Sequence, residues 1–338
     1  MERKLRIALL GAGKIATMQA YHLCNNPKVE IVYVYDIIET SAKLLANKLG
    51  IEAVSNLESV LNDKSIDAVF ISTSTSSHVD LIVQCAKAGK HVYCEKPISH
   101  DLKSALWCKE QLIDVKVSIH IGFNRRYDPN VQEIKESLEK GEIGNPEMTF
   151  ICGRDCAPLT KDYLSKSGGF FRDVVVHDLD LTKYLLRSVE DDVADIYVAG
   201  SCLHNKDCYE LGDFDTAITT IKSKKGIICN INNSRNSVYG YDQRIEIFGT
   251  KGMIVSKNYK KNSIQRFSEL HTESSSPYVY SFIERYSESF RIQLFDFVEA
   301  LLNNKPVGVS FNDGLESLIM AEYADQSART GEVLKFNF

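Results

Sequence analysis

Apolar and polar residues follow two different rhythms along this chain. In the first third, compact apolar runs at 5–10, 29–35, 67–72, 91–94 and 115–121 are separated by stretches with helical spacing. Helices are expected from the end of the first run to about residue 24, and over 39–49, 78–88 and 102–112, with a short strand near Ala53 and Val54. Buried strands separated by helices on short connections imply a doubly wound parallel sheet. The rhythm changes after Gly122. A helix is expected over 131–139, a strand near 148–152 and a helix over 169–186. Strand-like runs then follow closely at 195–201, 216–222, 226–232 and 244–248. Lys224-Lys225-Gly226 and Gly249-Thr250-Lys251-Gly252 read as hairpin turns, so the pairing should be antiparallel. An exposed loop is expected at 274–277, and helices return at 286–302 and 314–328. The expected organisation is therefore an α/β domain over 1–122 and an α+β domain with a sizeable sheet over 123–338.

Composition narrows the function more than the fold. Apolar residues make up 44% and charged residues 25%, ordinary values for a globular protein. The net charge is −5, and the basic residues are scattered rather than gathered into a stripe, which argues against nucleic acid or an anionic membrane as partner. No apolar run has the length to cross a bilayer, and the opening residues lack the apolar core of a secretory signal. Nine cysteines, dispersed and without paired CxxC knuckles, point to a reduced, cytoplasmic setting and to no metal site.

Gly11-Ala12-Gly13-Lys14-Ile15-Ala16 lies between the first expected strand and the first expected helix. Glycines there permit a tight turn and close approach of a pyrophosphate to the helix N-terminus. Asp36 ends the second strand, 25 residues after Gly11, where a carboxylate accepts hydrogen bonds from adenosine ribose hydroxyls. It would repel a 2′-phosphate, and Ile37 and Ile38 supply no cation, so NAD is expected rather than NADP. Ser72-Thr73 and Glu95-Lys96-Pro97 end later strands, where ligands of parallel sheets bind. Lys96 is thereby expected near the nicotinamide. Asp173 and His177 are four residues apart, a spacing that puts a carboxylate and an imidazole on one helix face. Such a pair can move a proton at neutral pH, and it can also be an ordinary tethered histidine.

Together these residues resemble the glucose–fructose oxidoreductase/inositol dehydrogenase family (Gfo/Idh/MocA) over nearly the whole chain. The resemblance rests on the glycine turn at 11–16, Glu95-Lys96-Pro97, and Gly122-Phe123-Asn124-Arg125-Arg126-Tyr127-Asp128-Pro129. It also rests on Gly168-Gly169-Phe170-Phe171-Arg172-Asp173 through His177-Asp178, and on Tyr239-Gly240-Tyr241-Asp242-Gln243-Arg244. The last three motifs are most similar to the inositol 2-dehydrogenase branch. The resemblance implies a Rossmann domain followed by an α+β domain with a large, open, mostly antiparallel sheet, whose face forms the interface of a homodimer or homotetramer.

By the same resemblance, the catalytic residues are Lys96, Asp173 and His177. Cofactor contacts are expected at Gly11, Gly13, Lys14, Ile15, Asp36 and Ser72, and also at Thr73, His78, Glu95, Lys96 and Arg125. Arg126, Asp155, Asp180 and Tyr241 are expected to join Lys96, Asp173 and His177 around the substrate. Arg154-Asp155 matches a pair in related inositol enzymes, whereas Cys156-Ala157-Pro158-Leu159 departs from their pattern. The implied reaction is NAD-dependent oxidation of a secondary hydroxyl of a small polyol, myo-inositol to 2-keto-myo-inositol foremost. A pyranose sugar such as glucose, or another inositol isomer, is the alternative substrate. An NAD-dependent glycosidase and a non-catalytic dinucleotide-binding protein are the readings from other classes.

Overall fold

The computed structural model describes residues 3–156, 159–270 and 272–336. The chain forms two compact units, and they are discontinuous. The first takes the residues up to Tyr127 together with Glu288–Ile319, and the second takes Asp128–Ser287 and the residues from Met320 onward. The division expected at residue 122 was linear, and the return of Glu288–Ile319 to the first unit was not anticipated. An apolar helical stripe shows that a helix is covered, not which sheet covers it.

The first unit contains β1 (Leu5–Leu10), α1 (Lys14–Cys24), β2 (Val29–Tyr35), α2 (Glu39–Leu49), β3 (Glu52–Val54) and α3 (Glu58–Asn62). It continues through β4 (Ala68–Ile71), α4 (His78–Lys87), β5 (His91–Cys94), α5 (Leu102–Gln111) and β6 (Ile119–Ile121). The strands form one parallel sheet in the order β3-β2-β1-β4-β5-β6. The direction of winding reverses between β1 and β4, the place where such sheets open a crevice for ligands. Ile7, Leu9, Val34, Phe70 and Tyr93 form the core with Leu294, Phe297 and Val298 of the returning segment. Phe70 stacks on Tyr93 at 5.1 Å, and Phe297 meets Phe70 edge-on at 5.5 Å. The last strand is shorter than expected, because Val115 N bonds back to Leu112 O in a turn.

The second unit holds α6 (Pro129–Glu139), β7 (Pro146–Arg154), α7 (Lys161–Lys166), α8 (Val176–Arg187), β8 (Val193–Ser201), α9 (Lys206–Glu210) and β9 (Thr216–Ser223). Then come β10 (Ile228–Ser234), β11 (Asp242–Gly249), β12 (Gly252–Ser256), β13 (Gln265–Arg266) and β14 (Ser274–Ser275). Two long helices, α10 (Phe282–Leu302) and α11 (Phe311–Thr330), are each shared with the first unit, and β15 (Leu334–Lys335) ends the described chain. The main sheet runs β12-β11-β7-β10-β9-β8-β15. Every pairing is antiparallel except β7 with β10. Both expected hairpins are present, as β9–β10 and β11–β12. Ser274 and Ser275, expected in a loop, pair instead with β13.

The inner face of this sheet buries Ile151, Ile231 and Ile247, and Leu185 and Leu186 of α8 line a small cavity with Ile151 and Ile247. The outer face is different. Ile228, Met148, Phe248 and Met253 stand opposite one another across β10, β7, β11 and β12, each between 41% and 53% exposed. Four large apolar side chains in one row across four strands form a contiguous patch of the kind that marks an interaction surface.

Candidate active site

The glycine turn is built as a phosphate cradle. Gly11 has φ +103°, and a Cβ there would lie 2.6 Å from the carbonyl oxygen of Ser72, so only glycine fits between β1 and β4. Gly13 precedes α1 without a side-chain cap, and a Cβ on it would meet nothing within 4 Å. The N-terminus of α1, which opens at Lys14 and Ile15, thus lies open to close approach of an anion, whose charge its amides and dipole suit. Asp36 holds the turn from the side: its carboxylate accepts from Ala12 N at 2.7 Å and from Ile38 N at 2.8 Å. A carboxylate has lone pairs beyond those two bonds, so Asp36 can also serve the ribose. Ile37 and Ile38 are exposed beside it and bring no positive charge. These residues fit NAD.

Ser72 and Glu95 end neighbouring strands and are joined through α1. Ser72 Oγ donates to Gln19 Oε1 at 2.6 Å, and Gln19 Nε2 donates to Glu95 Oε1 at 2.7 Å. Burial pushes the Glu95 carboxyl up to about 7, against the pull of the Lys96 charge. Gly122 leaves room for that carboxyl, because a Cβ there would sit 3.0 Å from it.

His78, expected to contact the cofactor, is 1% exposed, with Nδ1 2.8 Å from Pro97 O and Nε2 3.3 Å from Thr73 O. Burial lowers its pKa, so the ring is neutral and only one nitrogen donates. We assign the proton to Nδ1, whose contact is the shorter. His78 thus braces the segments that carry Thr73 and Lys96 from behind. Arg125 and Arg126 are also buried, and the Arg126 guanidinium is engaged by Asp313 at 3.3 Å.

The second unit gathers a different set. The expected helix over 169–186 begins with a π-turn at Phe171–Val175 and becomes α-helical at Val176. Such bulges recur at functional sites. Asp173 lies in the π-turn and His177 in the first turn of α8, each partly exposed. Asp173 Oδ2 accepts from Arg235 Nη1 at 3.0 Å, and the Tyr163 hydroxyl lies 3.0 Å from Oδ1 and 3.1 Å from Oδ2.

Burial, then the charge of Asp173 and the hydrogen bond to it, holds the Tyr163 phenol protonated far above its usual range. Burial opposes the Arg235 charge, but Asp173, Asp213 and Asp155 outweigh it. Asp155 follows β7, with its N bonded to Ser234 O and its carbonyl accepting from Ser237 N. Asp180 is 1% exposed, and the Tyr241 ring is buried edge-on to Tyr286 at 6.1 Å. Asp178, next to His177, turns inward and accepts from Asn233 Nδ2 at 2.6 Å. Ala157 and Pro158, part of the departure from the family pattern, lie outside the described residues. Among the described residues no cluster of His, Cys, Asp and Glu could hold a metal ion, and no helix is long and apolar enough to cross a membrane.

Two family models cover almost all of the chain. One, an oxidoreductase family with an NAD-binding Rossmann fold, matches residues 5–123, and its C-terminal alpha/beta domain matches 135–336. The chain belongs to the Gfo/Idh/MocA oxidoreductase family. It is an NAD-dependent oxidoreductase, with the Gly11–Gly13 turn and Asp36 in its NAD-binding domain. Among Gfo/Idh/MocA relatives, myo-inositol 2-dehydrogenase of Thermotoga maritima is 36% identical over 96% of both chains. A scyllo-inositol 2-dehydrogenase (NAD(+)) of Bacillus subtilis is 32% identical over 98% of this chain and 96% of its own. The crystal structure of a myo-inositol dehydrogenase from Corynebacterium glutamicum superposes with a TM-score of 0.95 at 36% identity, over 99% of each chain.

Sequence reading did not single out Gln19, Tyr163, Asp213 and Arg235, which the fold joins to Glu95, to Asp173 and to the π-turn. Gln19 sits at helical spacing beyond the glycine turn, which was a usable signal. Tyr163 and Arg235 lie 10 and 62 residues from Asp173, and nothing in the local sequence connects them to it.

Proposed function

We propose that this protein is a cyclitol dehydrogenase that oxidises one secondary hydroxyl, myo-inositol to 2-keto-myo-inositol foremost. The observation that carries the reading is end-to-end similarity, at 32–36% identity, to relatives named as inositol 2-dehydrogenases. Bound NAD supplies the hydride acceptor. The turn at Gly11 and Gly13 holds its pyrophosphate, and Asp36 accepts from its ribose hydroxyls. His177 takes the proton of the reacting hydroxyl, and Asp173 orients the site around it. Lys96, by family resemblance, donates to the developing alkoxide. Asp155 is a partly exposed acceptor for a further substrate hydroxyl. Asp180, Arg126 and Tyr241, expected around the substrate by the family resemblance, are more deeply buried.

A relative named for scyllo-inositol stands at nearly the same similarity as one named for myo-inositol, so the isomer is the open variable. The row Ile228, Met148, Phe248 and Met253 supports a homo-oligomer built on the outer sheet face. All nine cysteines are free, in keeping with a cytoplasmic enzyme. The mechanism is tested with myo-inositol carrying deuterium at the reacting carbon. Label recovered in NADH supports the reading, and unlabelled NADH, or no NADH with the label still on myo-inositol, removes it.

A further inference from the structure

Asp173 is held by two donors that come from other elements of the second unit. Tyr163, on the six-residue helix α7, reaches both carboxylate oxygens through one hydroxyl. Arg235 follows directly after β10 and reaches Oδ2. Arg235 is itself immobilised. It is 4% exposed, its guanidinium lies 5.4 Å over the Phe170 ring, and Nη2 stands 4.0 Å from Asp213 Oδ2. Asp213 is tied in turn to the π-turn, since Oδ1 accepts from Phe170 N at 3.0 Å. Gly169, with φ +92°, passes close by, and a Cβ there would lie 3.4 Å from Asp213 Oδ1.

A carboxylate in solvent turns freely about its last torsion, which is broad and roughly two-fold. Here donors from two directions fix that rotation. A buried, fixed guanidinium loses little freedom on binding a carboxylate, and the phenol adds a neutral donor that stays protonated. The arrangement suits a group that must point one way.

We propose that Tyr163 and Arg235 are positioning residues for the reaction: they clamp the Asp173 carboxylate so that it keeps a fixed direction toward its partner in proton transfer. This rests on the assignment of Asp173 and His177 to cyclitol oxidation. Neither Tyr163 nor Arg235 touches the reacting atoms; both act through Asp173.

The test uses the full-length protein with NAD and myo-inositol, and the variants Tyr163→Phe, Arg235→Lys, Arg235→Met and Asp173→Asn. Tyr163→Phe should lower kcat about tenfold, the scale of one hydrogen bond to a charged group, with KM and NADH affinity held within about twofold. Arg235→Met should lower kcat further, and Arg235→Lys should recover part of the loss by restoring a cation. An unchanged kcat in Tyr163→Phe overturns the proposal, and so does a loss confined to KM, which would make Tyr163 a substrate contact. If Arg235→Met does not fold, Tyr163→Phe decides, because it deletes one hydroxyl from a residue that is 45% exposed. If the wild type oxidises no cyclitol or sugar, the functional reading fails separately. The clamp is then judged by thermal unfolding of Tyr163→Phe, Asp173→Asn and the double variant. Non-additive losses of Tm support it, and additive losses overturn it.

Discussion

Gln19 Nε2 donates to Glu95 Oε1 at 2.7 Å, while its own oxygen accepts from Ser72. One buried amide thus joins the helix that leaves the glycine turn to the ends of β4 and β5. Gln19→Leu keeps the volume and deletes both bonds. It should weaken NADH binding about tenfold, because two segments of the nucleotide site lose their common tie. Fluorescence titration with NADH measures this, and an unchanged affinity would confine Gln19 to a packing role.

Glu95 gives the first unit a pH dependence. Its carboxyl titrates near 7 in the fold, against 4.5 for an ordinary glutamate. The folded state therefore holds a proton that the unfolded state has released between those values. The stability from this group is complete below the unfolded pKa and is lost as pH rises through the folded pKa. The loss should be on the order of 3 kcal/mol. Melting curves of wild type and Glu95→Gln should separate between about pH 5 and pH 8, with the wild type falling more steeply. Parallel curves would show that Glu95 titrates normally.

Much of this was readable beforehand, and the reasons differ by element. The parallel sheet was legible because β1, β2, β4 and β5 are nearly unbroken apolar runs, as strands covered on both faces must be. The glycine turn was legible because Gly11 and Gly13 answer a local steric demand. The π-turn was not, since Phe171–Val175 carries the same apolar spacing as a regular helix start. The burial of His78 was not legible either, because a histidine that opens a helix beside a cofactor strand reads the same whether it faces out or in. The ties of Asp173 to Arg235 and of Arg126 to Asp313 span 62 and 187 residues, and only the fold brings such partners together.

Asp36 should set the choice of cofactor. Wild type is expected to use NAD at least about tenfold better than NADP, the scale of one unscreened like-charge contact. Replacing Asp36 with Ser and the exposed Ile37 with Arg should reverse that preference while weakening NAD. Comparison of kcat/KM for the two cofactors checks this, and equal use by the wild type would contradict the assigned role of Asp36.

The apolar row on the outer sheet face should hold an oligomer together. Met148→Glu combined with Phe248→Glu places two charges in its middle. Light scattering should show a smaller assembly for this variant than for wild type. A wild-type monomer would instead leave the row without that role.

The most direct measurement is NADH absorbance with purified protein, NAD and a panel of myo-inositol, scyllo-inositol and glucose, run beside His177→Ala. Net NADH should accumulate with at least one cyclitol, faster than with glucose. His177→Ala should lose about 10²-fold or more in turnover while still binding NADH. Tight NADH binding with no NADH formed from any cyclitol, or equal loss of binding and turnover in His177→Ala, would contradict the assignment.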